Sequence, residues 1–300
     1  MSMCNMTVVQ SMPLLLDPMP HASADAPIGV FDSGIGGLSV AQEIARHLPN
    51  ERILYYADTA HVPYGARSDQ EIRQLTAQAI EWLYRQGCKI AVVACNTASA
   101  FSLDYLRDHY GERFPIVGLV PALKPAVIQT QSKVVAVLAT PATFRGQLIK
   151  DVMANFAQPA GVKVLTVTSL ELVPFVEAGQ QMSPACLDVL QQILQPVVDQ
   201  GADFLVLGCT HYPFLKDAIR QIFSEKLKLI DSGQAVARQT AYLLIKNGLL
   251  CDKLRHNITR IQCYVSGNNA VELEPVLQHL IPEQLTWKIQ NLAEIEIGNH

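Results

Sequence analysis

The segments IAVVACNT, residues 90–97, and FLVLGCTH, residues 204–211, decide the reading of this chain. Each runs an apolar strand into a cysteine and follows it with hydrogen-bonding side chains. Cys95 and Cys209 lie 114 residues apart, so one chemical arrangement is present twice. Open α/β sheets place their ligands beyond the carboxyl ends of parallel strands, which is where both thiols fall. Two thiols facing each other across a cleft supply one base and one acid.

Working outward, other apolar strands pair off in the same way. Ile28 to Asp32 matches Val134 to Ala139, Ile53 to Ala57 matches Val164 to Thr168, and Ile116 to Val120 matches Leu227 to Asp231. The offsets run from about 106 to 114 residues, in order, the trace a duplication with insertions leaves behind. Helical patterns alternate with these strands, the signature of βα units. Ser68 and Glu71 make a capping box, Ile72, Leu75, Ala79 and Leu83 repeat at helical spacing, and Gly87 stops that helix. A second helix opens at Pro184, carries Leu187, Leu190, Leu194 and Val198, and ends at Gly201, with a bend expected at Pro196.

The fold expected is α/β, with two pseudo-symmetric doubly wound parallel-sheet domains and the active site in the cleft between them. Residues 1–26 form an N-terminal extension. Residues 27–121 and 236–300 form a discontinuous first domain, to which the Val265 and Trp287 regions return after a helix from Ala235 to Lys246. Residues 122–235 form the second domain.

The 300 residues are 49% hydrophobic and 17% charged, enough apolar material for two cores. The net charge of −4 comes without a basic run or stripe, which argues against nucleic acid and for a small ligand. Seven cysteines without CxxC or Cys/His zinc spacing read as reduced thiols in a cytoplasmic protein with no metal site. The longest apolar stretches are about a strand long, short of a membrane span. The run Leu14-Leu15-Leu16 lacks a preceding Lys or Arg and is too short for a signal peptide.

The loop Asp32-Ser33-Gly34-Ile35-Gly36-Gly37 departs from the dinucleotide fingerprint. Its glycines are read as a tight turn that lets a carboxylate ligand approach the backbone. Asp32 either caps the next helix, binds a substrate ammonium or orients a thiol. Ala57-Asp58-Thr59 and then Pro63-Tyr64-Gly65 end the second strand at the same edge, as an ordinary turn or as peptide donors to the pocket. Cys88, Cys186, Cys251 and Cys263 read as small buried hydrophobes in helix ends or amphipathic runs, and Cys4 belongs to the loose tail. Cys95 and Cys209 meet helix N-termini, where dipole and free amides lower a thiol pKa. Asn96, Thr97, Thr210 and His211 supply donors beside them, with His211 either a core histidine or an acid–base assistant.

Five motifs in order, VFDSGIGGLSV, YYADTAHVPYG, VVACNTAS, LATPATFRG and LGCTHYP, make the chain from about Pro27 to Val265 resemble the glutamate racemase family. The resemblance implies a cofactor-independent isomerase that interconverts L-glutamate and D-glutamate for peptidoglycan synthesis. It places the two-base proton transfer at Cα on Cys209, acting on L-glutamate, and Cys95, acting on D-glutamate. It carries substrate binding over to Asp32, Ser33, Tyr64, Gly65, Asn96, Thr97, Thr140, Thr143, Thr210 and His211, and Pro63 is grouped with Tyr64 and Gly65. Asp32, His211 and Glu177 take auxiliary acid–base roles, although Glu177 by itself reads as a solvated helix-end carboxylate.

The partners expected are L-glutamate, D-glutamate and a second copy of the chain in a homodimer, with no nucleic acid and no membrane. The long tail adds UDP-N-acetylmuramoyl-L-alanine as an activator, by resemblance to members regulated by that precursor. Three rivals stay open. They are an aspartate racemase, a cysteine hydrolase using one thiol with His211 as base, and a non-catalytic two-domain binding protein. The hydrolase gives no reason for the second cysteine motif.

Overall fold

Parallel strands that are apolar along their whole length need helices over both faces, and the chain supplies them in alternation. The computed structural model describes residues 23–253 and 260–294. The first half runs β1 (Ile28–Asp32), α1 (Leu38–His47), β2 (Ile53–Ala57), α2 (Asp69–Arg85), β3 (Ile90–Val93), α3 (Asn96–Tyr110), β4 (Ile116–Gly118) and α4 (Leu123–Gln129). The second runs β5 (Val134–Ala139), α5 (Pro141–Arg145), α6 (Gln147–Val152), β6 (Lys163–Thr168), α7 (Leu172–Glu177), α8 (Pro184–Asp199), β7 (Phe204–Gly208), α9 (Lys216–Phe223) and β8 (Lys228–Ile230). Then come α10 (Gly233–Lys246), β9 (Ile261–Val265), α11 (Ala270–Leu280) and β10 (Trp287–Asn291).

These strands form two sheets, ordered β10-β9-β2-β1-β3-β4 and β6-β5-β7-β8, and every ladder is parallel. Setting β9 and β10 aside, the first order repeats in the second strand by strand. In each sheet the winding reverses at the first strand of the repeat, between β1 and β3 and between β5 and β7. Such switch points leave a crevice at the carboxyl ends of the strands. One apolar cluster extends through both halves, while separate clusters fill the outer face of each sheet. α1 packs on α10, which brings the chain back to the first sheet.

The cap chemistry holds at atomic level. Ser68 Oγ accepts the Glu71 N–H at 3.3 Å, and Gly87 leaves the helix at φ +74°. Ser183 caps α8 one residue before Pro184, Pro196 stays inside that helix, and Gly201 follows it at φ +81°.

Two details differ from expectation. β4 stops at Gly118 rather than Val120, because the Leu119 N–H turns to Ser99 Oγ (2.9 Å) and the Val120 carbonyl accepts from Ser232 Oγ (2.6 Å). β8 stops before Asp231, whose carboxylate is taken by Lys216 and by the Gly233 N–H at 2.8 Å, so α10 starts two residues before Ala235. Cys263 lies within the alternately buried strand β9, an amphipathic run as expected, and is buried like Cys88, Cys186 and Cys251. Cys4 and the Leu14–Leu16 run fall outside the described residues. Among those described, no helix is long and apolar enough to cross a membrane.

At the amino end of the first sheet, Lys89 and Glu51 form an ion pair at 2.5 Å with side chains only 0% and 2% exposed. Lys89 also donates to the Ala24 carbonyl at 2.6 Å, and Glu51 accepts the Cys251 N–H at 2.9 Å. The pair thus ties the start of the described chain to the segment after α10. Breaking one partner leaves an uncompensated buried charge, so Lys89→Met should lower the unfolding free energy in urea by about 3–5 kcal/mol. Adding Glu51→Gln should restore most of that loss.

Candidate active site

Both cysteines sit beyond the switch-point strands. β3 ends at Val93, the Ala94 N–H donates to Phe31 O on β1 at 2.7 Å, and Cys95 becomes the N-cap of α3, its sulfur accepting the Ala98 N–H at 3.4 Å. Cys209 follows β7 directly. Its carbonyl accepts the Tyr212 N–H at 3.1 Å in a short 3-10 turn, Tyr212–Leu215. The two sulfurs line the same cavity, one from each half of the duplication.

Of the expected site residues, all line that cavity except Asp32, Thr143 and Glu177, which stand behind it. Thr97, Thr140 and Thr143 form a buried hydroxyl cluster, with Thr97 Oγ1 2.9 Å from Thr140 Oγ1 and 3.4 Å from Thr143 Oγ1. Thr97 belongs to the first half and the other two to the second. Asn96 lines the cavity, and its Oδ1 is buried without a hydrogen-bond partner. Among the described residues no Lys or Arg lines the cavity. The polar side chains that line it are the hydroxyls of Ser33, Tyr64, Thr97, Thr140 and Thr210, the Asn96 amide, the two thiols and His211. No group of three or more His, Cys, Asp or Glu side chains suited to a metal ion occurs among the described residues.

Three peptide N–H groups of the glycine loop go to the protein's own carboxylates. Asp32 Oδ2 accepts the Gly34 and Gly37 N–H groups at 3.3 and 2.9 Å, while Oδ1 accepts from Thr210 Oγ1 at 3.3 Å. Asp32 is therefore not the helix cap, a position that Gly37 occupies. Glu177, at the end of α7, reaches across to accept the Ile35 N–H at 3.0 Å and holds His211 Nε2 at 2.6 Å. A Cβ on Gly34 would lie 2.1 Å from Glu177 Oε1, and one on Gly36 2.5 Å from the His211 ring. Those glycines are required by the approach of the opposite half.

His211 Nδ1 lies 3.6 Å from Cys209 Sγ, so Glu177, His211 and Cys209 form a continuous chain. Burial disfavours the charged imidazole, but hydrogen bonds to Cys209 and Glu177 outweigh it and raise the His211 pKa well above its ordinary value. Cys95 behaves differently. Burial first, and then the Asp32 charge, push its pKa well above 9.0 despite the helix N-terminus and the Ser33 hydroxyl 3.7 Å away. The surroundings of Cys95 thus act against the lowered thiol pKa expected for it, because the sulfur is buried and lies near the Asp32 carboxylate. Asp32 itself is pushed up to about 6, chiefly by burial, against the nearby His211 charge and its two backbone donors.

Several contributors escaped the sequence reading. Val62 and Val173 line the cavity, but as plain apolar residues they carry no chemical signal. Ser39 Oγ donates to the Thr210 carbonyl at 2.9 Å across the two halves, and Tyr55 OH donates to the Gly34 carbonyl at 2.8 Å. Only the Ser39 and Tyr55 hydroxyls beside known motifs could have pointed to them. The cavity measures about 20 Å³, room for about one water molecule.

Residues 28–240 match the family described as Asp/Glu/Hydantoin racemase. A glutamate racemase from Deinococcus radiodurans is 58% identical over 266 residues, covering 89% of this chain and 89% of the relative. The solved glutamate racemase of Escherichia coli, in complex with L-glutamate and the activator UDP-MurNAc-ala, superimposes with a TM-score of 0.74 at 36% identity, covering 89% of this chain and 98% of that one. The isoform RacE1 from Bacillus anthracis gives a TM-score of 0.77 at 29% identity, with coverage of 89% and 98%.

The raised Asp32 pKa makes a stability prediction with a definite sign. Its folded value, about 6, exceeds the ordinary aspartate value of 3.8. Neutral Asp32 therefore stabilises the fold below pH 3.8, and that contribution is lost as pH rises through about 6. Asp32→Asn keeps the hydrogen-bonding shape without the charge. It should melt with the wild type near pH 4 and above it at pH 8, by on the order of 3 kcal/mol at the full shift. Thermal unfolding across that range checks it. A variant less stable than the wild type at pH 8 would contradict the assigned burial cost.

Proposed function

Because the chain belongs to the aspartate/glutamate/hydantoin racemase family, we propose that its interconversion of L-glutamate and D-glutamate runs by two-base proton transfer at Cα, with one thiol on each face. It is an isomerase, like the glutamate racemases it resembles. The observation that carries the two-base reading is that Cys95 and Cys209 follow symmetry-equivalent strands and line one cavity. The strand membership of β9 and β10 supports dividing the chain into a first domain of 27–121 and 236–300 and a second of 122–235.

An amino-acid Cα–H is a very weak acid, so the catalytic power comes from placing charge where the carbanion forms and from holding the reactants. In the L-to-D direction the Cys209 thiolate takes the Cα proton. His211 Nδ1 stands beside that sulfur, while Glu177 orients the ring through Nε2. The electron pair moves into the substrate carboxyl group, whose oxygens lie within reach of the hydroxyl and peptide donors of the cavity. Cys95, whose raised pKa keeps its proton, delivers that proton to the opposite face. The reverse direction runs through Cys95 as base, with Asp32 and Ser33 beside it. Asn96 Oδ1, buried and unpartnered, accepts from the substrate ammonium.

The D-glutamate so formed supplies peptidoglycan synthesis in the cytoplasm. The E. coli relative is solved with the activator UDP-MurNAc-ala, which supports UDP-N-acetylmuramoyl-L-alanine as an activator here. Titrating that precursor into the full chain should raise racemisation, and a flat response would remove it from the partners. Sedimentation of the same sample tests the homodimer.

Incubation of the chain with L-glutamate in D2O should abolish optical activity and place deuterium first in the D product. Unchanged optical activity would remove the reaction. Early deuterium in recovered L-glutamate would favour a single base over two. His211→Asn should lower turnover on L-glutamate by about 10²–10⁴-fold. Cys95→Ser and Cys209→Ser should both lose most racemisation. With a glutamate analogue that eliminates a leaving group after one deprotonation, Cys95→Ser should retain activity on the L form and Cys209→Ser on the D form. Equal loss on both forms by both variants would refute the one-face assignment.

A further inference from the structure

Tyr64 and Gly65 wall the cavity from a short 3-10 turn, Tyr64–Ala66, that belongs to neither sheet. What fixes this turn lies behind it. The Tyr64 hydroxyl donates to Asp58 Oδ2 at 2.6 Å, and its buried ring tilts against Phe31 of β1 at 6.1 Å. Asp58 is the first residue after β2, is only 3% exposed, and donates its N–H to Asp32 O at 3.0 Å. Its second oxygen, Oδ1, accepts from Ser266 Oγ at 2.7 Å and lies 2.8 Å from His61 Nδ1.

Ser266 is the first residue after β9. Its N–H donates to Ala57 O at 3.1 Å, and its Oγ accepts the Ala60 N–H at 3.0 Å. One residue on, the Gly267 N–H donates to Thr59 Oγ1 at 3.0 Å, and that hydroxyl donates to Asn269 Oδ1 at 2.8 Å. The turn after β2 is therefore clamped from β9 by side chain and backbone together. The second half has no equivalent of this brace, since β6, the counterpart of β2, is the edge of its sheet.

We propose that Asp58 is a positioning residue of the racemase site, setting the Pro63-Tyr64-Gly65 wall against the substrate, and that Ser266 on the C-terminal return holds Asp58 in place. The proposal rests on the racemase reading above. Asp58 does not line the cavity, so it acts through Tyr64. A carboxylate whose two oxygens are claimed by different segments has its rotamer and depth fixed together. The tolerance of the wall is small, because a Cβ on Gly65 would lie 2.8 Å from Leu170 and 2.9 Å from Thr140, both across the cleft.

The test is steady-state racemisation of L-glutamate by the full chain and its variants, with folding followed by circular dichroism. Asp58→Ala should raise KM about tenfold or more while kcat stays within about threefold, the pattern of lost binding rather than lost chemistry. Asp58→Asn, which keeps an acceptor for Tyr64, should restore most of the affinity. Tyr64→Phe should weaken binding alone but add nothing on top of Asp58→Ala, because one hydrogen bond is lost only once. Ser266→Ala should raise KM in the same direction by a smaller factor, and it decides the matter if Asp58→Ala fails to fold.

A folded Asp58→Ala or Ser266→Ala with unchanged KM overturns the proposal, as do additive effects of Asp58→Ala and Tyr64→Phe. In either case a racemising wild type leaves the racemase reading standing. A wild type that does not racemise glutamate removes that reading and this proposal with it.

Discussion

The contact on which the site depends is the approach of Glu177 and His211 to the Gly34–Gly36 loop. Glu177 accepts the Ile35 N–H from the first half while it holds His211, and His211 in turn reaches Cys209. One carboxylate thus joins the two halves and orients the acid–base chain of one thiol. Any side chain at Gly34 or Gly36 would occupy the space these groups need. The contact between the halves and the proposed catalytic chain therefore share one carboxylate. Tyr55 and Ser39 keep the loop and the Thr210 backbone in register on either side of it.

The duplicated scaffold yields two thiols in unlike surroundings. On the Cys209 side a histidine and a carboxylate stand in line with the sulfur. On the Cys95 side the sulfur meets a serine hydroxyl, a peptide N–H and the charge of Asp32. The two surroundings differ in kind, and on the Cys95 side burial and the Asp32 charge hold the thiol protonated. Burial has a destabilising cost here, since Asp32 is charged at neutral pH only against strong desolvation. Buried ionisable groups of this kind are retained for chemistry rather than for stability.

The return of the chain to the first sheet adds what the duplication lacks. β9 covers the outer edge of β2 and brings Ser266 to Asp58, whereas β6 in the second sheet keeps an open edge. The asymmetry of the two halves is therefore partly a difference in how firmly each supports its side of the cleft.

The alternation of apolar strands with capped helices was legible in the sequence because it depends on local interactions. Side-chain spacing, Ser68 as a cap, Pro184 as a helix start, and Gly87 and Gly201 as stops are all set by neighbours a few residues away. The repeat of strand order was legible as well, since the two cysteine segments and their flanking strands keep their order and offset. Tertiary structure decided the rest. The ends of β4 and β8 depended on Ser99, Ser232 and Lys216, which arrive from other elements. The role of the glycine loop depended on Glu177, 142 residues from its partner Ile35, and a helix-end glutamate carries no local mark of that contact. The Cys95 pKa could not be read from its helix cap, because the dipole is a local property whereas desolvation is set by everything packed around the sulfur. Local chemistry singled out the candidate groups, and only the packing of two half-sites against each other determined their partners and the space left between them.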